Sequence, residues 1–401
     1  MKITDLKCAI IANAPIIQIR TDEGITGWGQ IETPKPYVKP QVLDLKPWII
    51  GQDPRDVERV MRRIRVRGAF KPFGAAVSAI EHALWDIAGK ALNTPVYRLL
   101  GGKVRDQVRT YRTLYQAEVP GGAPHTPDGY RKWAEYGKSL KGEFTLFKLP
   151  TAYHSSMVRD FPNYYYGEVQ TDAPFPYPHK GTMTQEGFEH LVACITAAKE
   201  ALGPGYNTAV DAGPGFMPID ALRLAKAVEH LHLMWIEDMI TGDYVPYVNY
   251  DVYRDITHQT TTPIHTGEQI YLRQNYKHLI ESHAVRVIGP DPADVGGLAE
   301  IKWIAEHADL HGIAMAPHGT ANGIIGLAAL IQVCATMPDN LIAFEYPARF
   351  EPFWYDITEG FDEMPVKGGL IDVPDRPGLG INFNVKEAKK HLTEGDADFF
   401  D

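Results

Sequence analysis

Three short apolar runs near the middle of the chain each end in an acid: Ala-Val-Asp at 209–211, Met-Trp-Ile-Glu at 234–237 and His-Thr-Gly-Glu at 265–268. Glu237 follows Asp211 by 26 residues, and Glu268 follows Glu237 by 31. A helical stretch fills each gap, and the period is that of one strand–helix–strand unit in a parallel barrel. Carboxylates at the C-terminal ends of successive parallel strands converge on one point. Three like charges held together need a cation. An all-oxygen set suits a hard divalent ion, and Mg²⁺ commonly keeps positions for water or substrate. One such acid alone reads as a solvated strand end; three in register on one repeat read as a metal site.

The rhythm continues. Val-Arg-Val-Ile-Gly-Pro-Asp ends in Asp291, Gly-Ile-Ala-Met-Ala-Pro-His in His318, and Leu-Ile-Ala-Phe-Glu in Glu345, at steps of 23, 27 and 27 residues. Residues two apart on a strand share a face, so His318 goes with Ala316 and Ala314, and Glu345 with Ala343. Small inward residues there are expected to leave room for a ligand. A His beside an Asp on adjoining strands fixes the imidazole tautomer and raises its basicity, although a purely structural pair is the plain alternative.

These residues resemble the enolase superfamily, mandelate racemase subgroup. Further segments carry the resemblance: Thr-Asp-Glu-Gly-Ile-Thr-Gly-Trp-Gly at 21–29, Gly-Gln-Asp-Pro at 51–54, Ala-Leu-Trp-Asp-Ile-Ala-Gly-Lys-Ala-Leu at 83–92 and Pro-Val-Tyr-Arg-Leu-Leu-Gly-Gly-Lys at 95–103. The resemblance implies an α/β fold, a modified (β/α)8-type TIM barrel with an N-terminal α+β capping domain. It implies Mg²⁺ on Asp211, Glu237 and Glu268, and an acid/base dyad of Asp291 and His318. It also implies that Glu345 donates a hydrogen bond to the substrate carboxylate. The expected domains are a cap at 1–110, completed by the tail at 350–401, and a catalytic barrel at 111–349.

Strand two carries the main departure from the family. Where members often have Lys-x-Lys, this chain has Lys148-Leu149-Pro150. Lys148 is expected to add positive charge near the carboxylate, but Pro150 takes no proton. Gly213, two residues after the metal Asp, likewise offers no acid where relatives often have His or Asn. Strands two and three therefore supply no evident base opposite His318. A racemase usually needs one on each face, whereas a dehydratase can use one imidazole for both proton transfers. The resemblance, taken with the missing second base, implies dehydration of a sugar acid (an aldonate or aldarate, galactonate or gluconate in type) to a 2-keto-3-deoxy acid. With His318 acting alone, the elimination is expected to be syn. A racemase, epimerase or cycloisomerase, and a non-catalytic sensor of the same fold, are the alternatives.

The stretch 151–184 holds four prolines and five tyrosines, too irregular for a plain helix and long for a barrel loop. It is expected to order over the mouth, with Tyr153, His154 and Arg159 as substrate contacts, unless its aromatics pack between subunits. It is also where a second acid or base would hide. Arg65, Arg67 and Lys71 read either as anion contacts from the cap or as a solvated basic loop. His230 and His232 imitate a zinc pair, but their parity opposes Glu237. His265 also opposes Glu268 in parity, unless Gly267 makes a bulge.

Composition limits the partners. The formal net charge is −10 with no basic run, which disfavours a nucleic-acid partner. Cys8, Cys194 and Cys334 show no ligand spacing and suit reduced thiols. The N-terminal residues lack a leader pattern, and the apolar run 324–334 is too short to cross a bilayer. A cytoplasmic homo-oligomer with no membrane partner, acting on a small-molecule sugar acid, is expected.

Overall fold

The computed structural model describes the chain except residues 34, 69–70, 141, 174–177, 242–247, 320–322, 348–352 and 361–364, and the side chains of 71–73. The first strands are β1 (Ile3–Ile11), β2 (Ala14–Thr21) and β3 (Thr26–Gln30), an antiparallel meander. Helices α1 (Lys39–Ile49), α2 (Val57–Ile64) and α3 (Lys71–Ala91) cover one face of it. The helical spacing of Ala76, Ile80, Ala83, Leu84 and Ile87 puts the apolar stripe of α3 against this sheet, and all five side chains are buried. The contact is unusually close. A Cβ on Gly27 or Gly29 would stand 2.2 or 1.9 Å from the carbonyl oxygens of Ala83 and Ala79. The Gly-Trp-Gly run is therefore a steric requirement of helix on sheet.

The barrel follows. Its parallel strands are β4 (Gln107–Thr113), β5 (Leu146–Pro150), β6 (Asn207–Asp211), β7 (Ile236–Glu237), β8 (Ile264–Thr266), β9 (Val287–Ile288), β10 (Ala314–Met315) and β11 (Phe344–Tyr346), hydrogen-bonded in that order from β4 to β10. β11 pairs with β4. On its other side, the Ile342 N–H donates to Met315 O and the Glu345 N–H to Pro317 O, which closes the ring. The outer helices include α7 (Gln185–Leu202), α8 (Pro218–Ala227), α11 (Leu298–Leu310) and α12 (Ile324–Cys334).

The barrel interior is a packed core. Tyr111, Ala209, Trp235, Val287, Ala316 and Ala343 form one buried cluster contributed by strand residues around the ring. The Trp235 ring meets Tyr111 edge-on at 5.2 Å and stacks on His265 at 5.2 Å. Two large rings thus fill the interior, and the alanines make room for them. This corrects the expectation that Ala316 and Ala343 keep space for a ligand.

The tail holds both parts. The hairpin of β13 (Val366–Lys367) and β14 (Leu370–Asp372) adds antiparallel to β4. Farther on, the Thr393 N–H donates to Ile10 O, and Phe383 lies 4.3 Å from Trp28. The cap sits on the barrel through α3. Glu81 accepts N–H bonds from Leu298 and Ala299 at the start of α11, Ser78 accepts from Gly296 N, and the His82 Nε2–H donates to Pro292 O. These contacts seat the cap on residues 292–299, which begin beside Asp291.

Candidate active site

Register sets the height of the first acids. Pro150 lies opposite Asp211, Asp211 opposite Glu237, and Glu237 opposite His265. The four residues form one layer at the C-terminal rim of the barrel. Glu268 joins them from beyond β8. Gly267, at φ +134°, turns the chain so that both His265 and Glu268 are buried. β8 pairs without a register shift, so the redirection comes from Gly267 just past the strand and not from a bulge within it, and His265 faces inward, with Nδ1 3.5 Å from Glu237 Oε2. Donor oxygens of Glu237, Asp238 and Glu268 come within 4.8 Å of one another, all three residues buried.

Lys148 is the centre of the acid layer. Its Nζ lies 2.8 Å from Glu237 Oε1, 3.2 Å from Asp211 Oδ2 and 3.3 Å from Glu345 Oε1. Burial disfavours the ammonium, yet these carboxylates outweigh it and hold the lysine pKa well above its usual value. Glu237 is held below the usual carboxylate range: burial opposes its charge, and Lys148 and His265 overcome that. Its other oxygen accepts from Trp235 Nε1 at 2.7 Å. Glu345 accepts from Thr113 Oγ1 on one oxygen and from Gly319 N on the other, at 3.3 Å for the latter.

His318 stands across the ring. Its Nδ1 is 2.5 Å from Asp291 Oδ2, while Nε2 faces the acids, 3.2 Å from Glu268 Oε2 and 3.5 Å from Glu345 Oε2. Asp291 is itself fixed by the Ala293 N–H at 2.6 Å. Burial opposes an imidazolium here, but Glu268, Glu345 and Asp291 together raise the pKa of His318 well above the ordinary value. The His–Asp pair expected from the strand spacing is formed, and it leaves Nε2 turned toward the acids.

The first residues of the 151–184 stretch pack inward. The 3₁₀ turn Ala152–His154 hooks over the end of β6: the Thr151 N–H donates to Asp211 O at 2.9 Å, and the His154 N–H to Ala212 O at 3.1 Å. Tyr153 is buried edge-on against Phe216 and Tyr164, and its hydroxyl donates to Gly181 O. This corrects Tyr153 as a substrate contact and as a packing surface between subunits, because it is internal core. Arg159 Nη1 donates to Thr171 O at 3.4 Å within the stretch. His154 differs from both: its Nε2 reaches to 3.6 Å from Asp211 Oδ2.

Other candidates fall elsewhere. Arg65 is enclosed by Glu58, Glu81 and Glu300, with contacts of 2.6–4.0 Å, so it ties the cap to the barrel. Arg67 lies on the Trp48 ring at 3.5 Å. The Lys71 side chain lies outside the described residues. His230 belongs to a 3₁₀ turn, and His232 follows it before β7, so neither joins the acids.

With the geometry in view, comparison with known proteins is informative. The model of the mandelate racemase/muconate lactonizing enzyme N-terminal domain matches residues 8–101, and that of the enolase C-terminal domain-like family matches residues 171–388. The chain belongs to the enolase superfamily, mandelate racemase subgroup. A D-xylonate dehydratase of Haloferax volcanii is 31% identical over 99% of this chain and 90% of its own length. A D-galactarolactone cycloisomerase of Agrobacterium fabrum is 26% identical over 92% of this chain and 88% of its own. A mandelate racemase/muconate lactonizing enzyme-like protein from Rubrobacter xylanophilus superposes with a TM-score of 0.84 at 28% identity, covering 98% of both chains. Fold and family thus agree with the TIM barrel and cap seen here.

Several residues at the site escaped the sequence reading. Asp238 directly follows Glu237, and only that adjacency hinted at it. Thr113, two residues rimward on β4 of the position opposite Glu345, donates to Glu345, and Trp235, two residues before Glu237, donates to Glu237. Glu32, from the cap, reaches to 3.9 Å from His318 Nδ1 and pairs with Lys35, which also lies 3.3 Å from Asp294. No periodic pattern marks such a cap residue, because its place depends on how the two parts dock.

Proposed function

We propose that this chain is a Mg²⁺-dependent dehydratase of a polyhydroxy sugar acid, an aldonate or aldarate, giving a 2-keto-3-deoxy acid. As a class it is a lyase of the hydro-lyase type, in keeping with its dehydratase relatives. The observation that carries the reading is the joint placement of the acid layer, Lys148 and the His318–Asp291 pair at one rim of the barrel.

The donor set fits a hard divalent cation. Buried carboxylates outnumber the cations at the rim, and the gathered trio of Glu237, Asp238 and Glu268 offers only oxygens, with Asp211 in register beside Glu237. Asp211, Glu237 and Glu268 would hold Mg²⁺, which when bound supplies Lewis acidity toward the substrate carboxylate. Lys148 sits among the same acids and adds fixed positive charge where the enediolate forms. Glu345, placed between Lys148 and His318, is positioned to hydrogen-bond that carboxylate. His318 Nε2 removes the α-proton, and Asp291 keeps Nδ1 protonated and the ring aimed. The electron pair left on the α-carbon forms the double bond as the carbon–oxygen bond to the β-hydroxyl breaks; that oxygen takes a proton from an imidazole at the rim and leaves as water, and the enol becomes the ketone.

Replacing Glu237 with Gln tests the metal role. Turnover of a sugar acid that depends on added Mg²⁺ should disappear while the circular dichroism spectrum stays native. Full activity after exhaustive chelation would sink the proposal.

A cycloisomerase or racemase is the second reading, and the cycloisomerase relative favours it. It predicts solvent deuterium at the α-carbon without loss of water.

A further inference from the structure

We propose that His154 is a second catalytic residue, the acid that protonates the departing β-hydroxyl from the side of the substrate opposite His318. The proposal rests on the dehydratase reading and replaces the one-imidazole route expected from the sequence.

Two positions that looked like losses make the room. Pro150 ends β5, and the chain then turns across β6 instead of continuing outward. Gly213, at φ +63°, has no side chain, and a Cβ there would stand 2.6 Å from the His154 Cβ. A side chain at 213 and the observed place of His154 exclude each other. Gly213 therefore admits an imidazole delivered from the neighbouring loop.

The position is built. The His154 N–H is held by Thr151 O at 3.0 Å and Ala212 O at 3.1 Å, and the ring reaches Asp211 with 12% of its side chain exposed. A substrate at the rim can therefore reach it. The ring of strands then fixes the side. Asp211, beneath His154, ends β6, and His318 follows β10, four strands away in either direction around eight. His318 Nε2 faces Glu268 and Glu345, whereas His154 Nε2 faces Asp211. A sugar acid among these carboxylates has one imidazole on each face.

The chemistry balances without another reactant. The α-carbon–hydrogen bond breaks and the proton goes to His318. Its electron pair forms the carbon–carbon double bond, and the β-carbon–oxygen bond breaks. The oxygen takes a proton from His154 and leaves as water. The enol then tautomerises, and proton exchange with solvent restores both imidazoles. The two groups act from opposite faces, so the elimination is anti.

The test compares His154→Asn with His318→Asn on an aldonate and on its analogue carrying fluorine in place of the β-hydroxyl. Fluoride leaves without a proton. For His154→Asn we expect dehydration to fall by roughly 10²–10⁴-fold, the range for a lost general acid. Fluoride elimination and α-deuterium exchange in deuterated water should stay near wild type, which also shows that the variant is folded. His318→Asn should lose all three. Dehydration by His154→Asn within about threefold of wild type would overturn the assignment. So would an equal loss of dehydration, fluoride elimination and exchange, the mark of a structural role. A wild-type enzyme inert to every aldonate would overturn the function beneath it, a distinguishable result.

Discussion

His318 is aimed by a 2.5 Å contact with Asp291 and directs Nε2 at the acids. His318→Asn should lower both α-exchange and elimination by roughly 10²–10⁴-fold or more, the range for a lost general base. Asp291→Asn should do less damage, because the imidazole remains but is misdirected and less basic. Single-turnover rates in deuterated water measure both, and persistent exchange in His318→Asn would remove it as the base. Asp238 offers a second check. It lies beside Glu237 and Glu268, so Asp238→Asn should weaken Mg²⁺ binding by about 10–100-fold, the range for an outer partner of a ligand. Calorimetric titration would show whether its effect approaches that of Asp211→Asn. The rim positions of Asp211, Glu237, Glu268, Asp291 and His318 were legible because each ends an apolar run on one repeat. Asp238 was not, since its place depends on a backbone turn with φ +53°. His154 was legible as a residue of the irregular stretch, but its place against Asp211 was not, because it depends on Gly213, 59 residues away in sequence (213 − 154).

At the scale of elements, glycines and aromatics decide the fit. Gly29→Ala would drive a Cβ into the Ala79 carbonyl of α3, and such overpacking costs about 1–3 kcal/mol or more. Denaturant melts should show the loss, and an unchanged midpoint would mean that the helix and sheet are less closely apposed than here. Tyr153→Ala should cost about 3–5 kcal/mol, as for other large buried rings, with the same assay deciding. If Tyr153 touched only substrate, the Michaelis constant would change and the melt would not. Helix α7 is capped by Thr184, whose side chain accepts from the Gly187 N–H, and fills one of the gaps that the strand rhythm leaves for helices. Strands β7, β9 and β10 are only two residues long, shorter than their apolar runs, because pairing in a small closed ring stops where the chain bends into the mouth. The 151–184 stretch was legible as irregular, but the inward packing of its first residues was not, because the tyrosines look alike in sequence whether they pack inside, as Tyr153 and Tyr164 do, or stand exposed, as Tyr166 does.

For the whole molecule, the junction of cap and barrel has a pH signature. His82 is fully buried and donates to Pro292 O, and burial pushes its pKa down to about 4. In the unfolded chain the value is about 6.5, so that state binds more protons between the two values and stability falls as pH falls through this window. The difference corresponds to at most about 3 kcal/mol. His82→Gln should flatten this part of the curve of stability against pH, and an unchanged slope would exclude His82 as its source. The two-part architecture was legible from the cap motifs and the strand rhythm. The contacts of α3 with residues 292–299, and of Glu32 with the dyad, arise only on docking. Among the described residues no helix is long and apolar enough to cross a membrane. The central claim is that the rim of this barrel removes water from a sugar acid with a bound divalent ion. The most direct measurement incubates the protein with a panel of aldonates and aldarates, with Mg²⁺ or with chelator, and follows 2-keto-3-deoxy acid together with deuterium uptake from solvent. The account predicts keto acid from at least one member of the panel, abolished by chelation. Deuterium uptake with no keto acid, or keto acid formed equally under chelation, would contradict it.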